Sequence, residues 1–165
     1  MRPTEPPNSP VKVRGFFRLQ LKEGPDGRLV GDSGWRSNNV TNEGLDNYLT
    51  RLLGAQSGSA QISRMMLGTG TAPGDTDTGL DGELNTATYT RTTVSVSVVA
   101  SSAVEFQATF ASANSHITAA VTLQNIGIIN DTTSGGSMFA GNTYTTSQWA
   151  TNQDCQASYR ITFSG

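Results

Sequence analysis

The chain has 165 residues, of which 35% are hydrophobic and only 15% charged, with a formal net charge of −2 and a pI near 5.3. That length supports one domain with a core of its own. The slight acidity removes any global field that would draw the chain to nucleic acid or an anionic membrane. No run approaches the ~18–20 apolar residues of a transmembrane helix. The first residues lack the apolar centre of a signal peptide, so synthesis and assembly in the cytosol are expected. Cys155 is the single cysteine, which rules out an intrachain disulfide, and its neighbours give no reason for an activated thiolate. Ser, Thr, Gly and Asn make up much of the remainder, a composition for strands and turns.

In chain order, residues 1–12 form a proline-rich arm carrying Pro3, Pro6, Pro7 and Pro10. Proline removes a backbone donor and favours extended geometry. The arm is therefore either a disordered tail or an extended strap across a neighbouring subunit, and residues 13–165 are expected to form one domain. The first strand runs from Val11 to Lys22. Val13, Phe17, Leu19 and Leu21 lie on its inner face, with Arg14, Arg18 and Lys22 interleaved; Phe16 breaks the alternation and marks a bulge or edge. Gly24-Pro25-Asp26-Gly27 is a turn, and residues 28–36 return as a hairpin. The basic residues of this hairpin read either as a solvated face that discourages edge pairing or as a face for an acidic partner.

A short helix is expected from Thr41 or Asn42, either of which can cap it, to Gly54. Leu45, Leu49, Leu52 and Leu53 form its apolar stripe. Ile62 to Leu67 reads as a buried strand. The loop 69–83 holds Pro73, Asp75, Asp77, Asp81 and Glu83. Its aspartates suit turns; an EF-hand order fails because Gly79 stands where a ligand belongs, leaving only a weak calcium site as the other reading. Residues 85–100 form a long strand with Val94, Val96 and Val98 toward a core and Ser95 and Ser97 toward water. Val104, Phe106, Ala108 and Phe110 alternate as the next strand. Ile117 to Asn130 is nearly continuously apolar, with Gly127 marking a bulge or a close backbone approach. Met138 to Thr143 is a short strand, residues 144–152 a loop displaying Tyr144 and Trp149, and Ala157, Tyr159, Ile161 and Phe163 close the sheet. The whole is mainly β: an antiparallel two-sheet β-sandwich, jelly-roll-like, of about eight strands with one short α-helix.

Chemistry is sparse. His116 is the only histidine and reads as a surface residue at a strand start. No Gly-x-Ser-x-Gly elbow, zinc ligand set or distinguished carboxylate pair is present, so neither a catalytic residue, a cofactor nor a metal is assigned. Trp35, Tyr89, Tyr144 and Trp149 fit either packing or a sugar-binding face.

Several segments resemble small virion structural proteins of tailed bacteriophages. They are Asn39 to Leu45, Leu67 to Pro73 with Asp77-Thr78-Gly79-Leu80 and Glu83, Val104 to Phe110, Asn125 to Asn130, Gly136 to Ala140, and Tyr159 to Phe163. Asn125 stands where that group usually has an acid. The resemblance implies a non-enzymatic capsid decoration (cement) protein, part of the virion. It would bind the major capsid protein and self-associate as a homotrimer, without nucleic-acid or membrane partners. The alternative is a tail, baseplate or tail-fibre component, with or without host-glycan binding. The interface residues expected are Pro3, Pro6, Pro7, Pro10, Arg14, Arg18, Pro73, Asp75, Asp77, Tyr144 and Trp149, within the arm 1–12 and the loops 69–83 and 131–152.

Overall fold

A computed structural model describes residues 12–42, 44, 61–84, 91–100, 102–114, 116–130 and 136–164. The chain is mainly β. Ten strands are named among these residues: β1 (Lys12–Glu23), β2 (Arg28–Asp32), β3 (Arg36–Val40), β4 (Arg64–Gly68), β5 (Thr92–Thr93), β6 (Ser95–Ala100), β7 (Ala103–Phe110), β8 (Val121–Ile129), β9 (Met138–Trp149) and β10 (Gln153–Ser164). All pairings are antiparallel, in the order β5-β4-β8-β9-β3-β1-β10-β7-β6, with β2 also on β1. β5 and β6 follow one another in the chain yet stand at opposite ends of that order. The sheet therefore curls until it is nearly closed, like a barrel.

The centre is the unbroken twelve-residue ladder between β1 and β10, from Lys12 opposite Ser164 to Glu23 opposite Gln153. Phe17, Leu19 and Leu21 on β1, and Ala157, Tyr159 and Ile161 on β10, point inward as their alternation requires. They meet Met65, Leu67, Leu123, Ile126 and Ile128 from the other half of the sheet. Phe16 causes no bulge in this ladder; the irregularity lies at Leu21/Lys22, against β2.

Four expectations change. The return strand 28–36 divides in two. Gly34, at φ 65°, turns the chain so that β3 pairs with β1 and then carries on to β9. β9 spans twelve residues and absorbs most of the loop expected at 144–152. The long strand expected at 85–100 is β5 and β6, separated at Val94; residues 85–90 lie outside the described residues. Finally, the parity of that strand holds but its burial does not. Val96 stands opposite Phe106 and Val98 opposite Val104, so both share the core-facing side, yet they are 56% and 77% exposed. β6 overhangs the end of the sheet, and no strand among the described residues lies across from it.

The expected helix falls almost wholly outside the described residues. Its start is visible: the amide of Gly44 donates to Thr41 Oγ1 at 3.0 Å, an N-cap bond.

The two ends of the fold differ. β1 begins, β3 ends, β4 begins and β8 turns toward β9 at one end. At the other end the interior is closed by Trp149, Phe110 and His116, whose rings meet edge-on or tilted at 5.7–6.3 Å.

Candidate interaction surfaces

The loop 69–84 lies against the outer side of β4, β8 and β9. A two-strand extension anchors it: the amides of Thr69 and Leu84 donate to the carbonyls of Gly82 and Leu67, each at 3.0 Å. Asn125, wholly buried, donates both amide hydrogens, to the carbonyls of Thr71 at 3.0 Å and Asp81 at 2.8 Å. Asp81 accepts from the Thr71 amide and hydroxyl, each at 3.1 Å, which holds its carboxyl below the usual range. Leu80 then covers Met66, Ile129 and Met138, a second small core beneath a long loop. At Gly127, expected to mark a bulge or a close backbone approach, the nearest neighbours of a Cβ would be side chains, Met66 Cε at 2.9 Å and Met138 Sδ at 3.0 Å. Further along, the Met138 amide donates to the Thr78 carbonyl at 3.0 Å, and the Asn42 amide to that of Asp75 at 2.9 Å.

Within this loop Pro73 is buried, against Gly141. Asp75 and Asp77 are exposed, but both are engaged: Asp75 accepts from Asn39 Nδ2, and Asp77 accepts from the Gly74 amide at 2.8 Å in a local turn. Among the described residues no three His, Cys, Asp or Glu side chains gather as a metal site. The loop closes through Glu83, which takes a two-pronged bond from Arg91 (Nε to Oε1 2.7 Å, Nη2 to Oε2 2.8 Å), with the two side chains 13% and 4% exposed.

The outer face of β1, β10 and β7 is polar and crosslinked. Arg18 is half-buried and paired with Asp32 (Nε to Oδ1 3.0 Å). That pairing, with bonds from the Gly34 amide and Gln20, holds the Asp32 carboxyl far below the usual carboxylate range. Arg28 pairs with Glu23 beside the hairpin's turn, and Arg36 donates to the Ser33 carbonyl. Arg18 and Arg28 are thus neutralised within the chain, Arg36 keeps its charge against a carbonyl, and Arg14 remains exposed. Arg160 donates to Glu105, which is buried and also accepts from Gln107. The Arg160 guanidinium stands 4.6 Å above the ring of Trp35, the exposed indole of this face.

Tyr144 and Trp149 are core residues, not surface anchors. Trp149 is 1% exposed, and its Nε1 donates to the Gln153 carbonyl at 2.8 Å. The arm with Pro3, Pro6, Pro7 and Pro10, together with Tyr89 and residues 131–135, lies outside the described residues. Cys155 is fully buried in β10, and burial pushes its thiol far above the ordinary value.

His116 is buried rather than superficial, packed on Phe110 and Trp149, and burial lowers its pKa from the ordinary value near 6.5. The unfolded chain therefore takes up the proton first. Folding stability is complete above that ordinary value and falls as pH drops through it toward the folded-state pKa. A urea midpoint that declines between pH 7.5 and 5.5 is expected for this chain, and a flat one for His116→Gln. Equal decline in both places the effect elsewhere. The Asp32 pair is lost only below the ordinary carboxylate pKa, in a separate and more acidic range.

Among the described residues no helix is long and apolar enough to cross a membrane. Fold and surfaces together define an antiparallel, barrel-like β protein whose polar loop residues are largely spent in holding the loops themselves. Comparison with protein-family models, with curated proteins and with solved structures found no match.

Proposed function

We propose that this chain is a structural component of a tailed-bacteriophage virion, acting as a decoration protein on the outer capsid surface. It carries no reactive centre and works by fitting against other polypeptides. Its nearly closed sheet is then a two-sheet sandwich. β1, β10 and β7 face β9, β8, β4 and β5, with β3 shared and β6 overhanging, and a jelly-roll-like arrangement is part of this reading.

The observation that carries the proposal is the fate of the loop resembling that group. From Gly68 to Glu83, Thr69, Thr71, Asp77, Asp81 and Glu83 form intramolecular bonds that fix the shape of the loop, while Asn125 and the amides of Leu84 and Met138 pin it to the sheet. Such a segment builds a rigid outer surface and offers no cluster for chemistry. Asn125, at the position where an acid is usual, fits this role here because it donates two hydrogens, which a carboxylate cannot.

The partner is the major capsid protein, and self-association as a homotrimer follows from the resemblance. A protein that binds assembled shell better than separated subunits raises shell stability by mass action. Exposed Trp35 beside Arg160 favours a second reading, a tail or baseplate component with a glycan-contacting face, since an indole ring suits the apolar face of a sugar. Quantitative staining of purified particles separates the two. A decoration protein is expected at a copy number comparable with that of the shell protein. A scarce copy overturns the capsid position, and absence from particles overturns both.

A further inference from the structure

The sheet exposes edges at β2, β5 and β6, and it treats them differently. β5 is only two residues long. β2 is blunted by a register irregularity at Leu21/Lys22 and by the ion pairs of Arg28 and Asp32. Short length, bulges and charges are the ordinary means by which an edge is kept from pairing. β6 has less protection. From Thr92 to Ser102 the sequence TTVSVSVVASS holds no charge and no proline. All six residues of the strand are exposed, with Val98 at 77%. Its one irregularity, between Val98 and Ala100, lies next to the turn into β7 and leaves Ser95–Val98 regular. Among the described residues its one ladder neighbour is β7.

From this contrast we infer that β6 is a pairing edge and that its occupant is β6 of a second copy, laid antiparallel across a two-fold axis. The strand's own pattern selects that occupant. With Ser97 opposite Ser97, Val96 of each copy stands opposite Val98 of the partner subunit, so apolar side chains meet on the core-facing side. Serines meet on the outer side, and no like charges are brought together. A charged partner strand would find nothing on β6 to pair with. The contact also covers Val96 and Val98, which already point toward the core side but lack cover among the described residues.

Six residues of edge bury less than the ~1,200 Å² at the lower bound of a stable interface. The pairing is therefore weak and dependent on concentration, and it doubles whatever unit the remaining surfaces build. It rests on β6 alone and stands or falls independently of the virion reading.

Sedimentation velocity of the full chain over a concentration series tests it, with V98K and Val98→Thr alongside. Circular dichroism and thermal melting check that both variants fold, as expected at so exposed a position. The wild type should show a species of twice the unit mass that grows with concentration. V98K should weaken that association roughly tenfold or more, because a charge is forced into the strand pair. Val98→Thr, which keeps a β-branched side chain, should retain it. Amide exchange within residues 95–99 should slow as the doubled species forms. A wild type that never doubles, or a V98K distribution that matches it, overturns the inference. Slowed exchange at β6 only when a different protein is added also overturns it, by assigning the edge to another occupant.

Discussion

Replacing Trp149 by alanine is expected to cost about 3–5 kcal/mol of folding stability, the range for removing a large aromatic from a packed core. The indole is 1% exposed and closes one end of the interior against Phe110 and His116. It also fixes the turn from β9 to β10. Its Nε1 donates to the Gln153 carbonyl, while Gln153 Oε1 accepts from the Ala150 amide at 2.9 Å and the Gln153 amide donates to the Ala150 carbonyl at 3.1 Å. Alanine removes the packing and leaves that carbonyl without its donor. Trp149→Phe separates the two effects: it keeps most of the buried ring and should lose only about 1–3 kcal/mol for the unpaired acceptor and changed shape. Urea midpoints of the two variants measure both. A loss below about 1 kcal/mol for Trp149→Ala would show that the indole is not part of the core. With the indole in the core, any loss of binding by Trp149→Ala reflects unfolding, and the residue whose removal tests a surface role is Trp35.

Strands with one wet and one dry face were the legible part of the sequence. β1, β7 and β10 alternate over most of their length, with Phe16, the buried Glu105 and the exposed Phe163 as exceptions, and most of their inward residues follow from parity. β6 shows the limit of that rule. Alternation tells which face a valine shares but not whether anything lies across from it, and coverage is a property of strands far away in the chain. The second half of β9, Tyr144 to Trp149, reads as a loop because most of it is polar. It is a strand because β8 supplies a ladder along β9. Pro73, expected at an interface, and Leu80 both pack inward: an apolar residue in an otherwise polar loop, with a proline before it, marks a segment that packs down rather than reaches out. His116 carries no local sign of burial, since its cover comes from residues distant in sequence, whereas Cys155 shares the inward parity of Ala157, Tyr159 and Ile161. Asn125 reads in the sequence as a departure from an acid, and its two carbonyl partners explain why an amide serves there.

The Glu83–Arg91 pair had no sequence signature, because both residues lie outside the regular strands. Its rupture is the second large effect expected. Arg91→Met should cost about 3 kcal/mol, the lower part of the range for breaking a buried pair, because Glu83 keeps slight access to water. The loss is mainly the penalty of leaving the Glu83 carboxylate buried without its partner, not the net worth of the bond. The pair joins the last residue of the loop bridge, where Glu83 stands opposite Gly68, to the residue that leads into β5. Destabilisation should therefore appear first as faster amide exchange at Thr69, Gly70 and Leu84, whose amides hold the loop to the sheet. Glu83→Leu combined with Arg91→Met removes both charges, and replacing both members of a buried pair by apolar side chains is often neutral or better. The double variant should recover most of what Arg91→Met loses, and the double-mutant cycle should give a coupling of about 1–3 kcal/mol. Additive losses from the two single substitutions would mean that the groups do not share one desolvated site, and that the loop is held by Asn125 and the backbone alone.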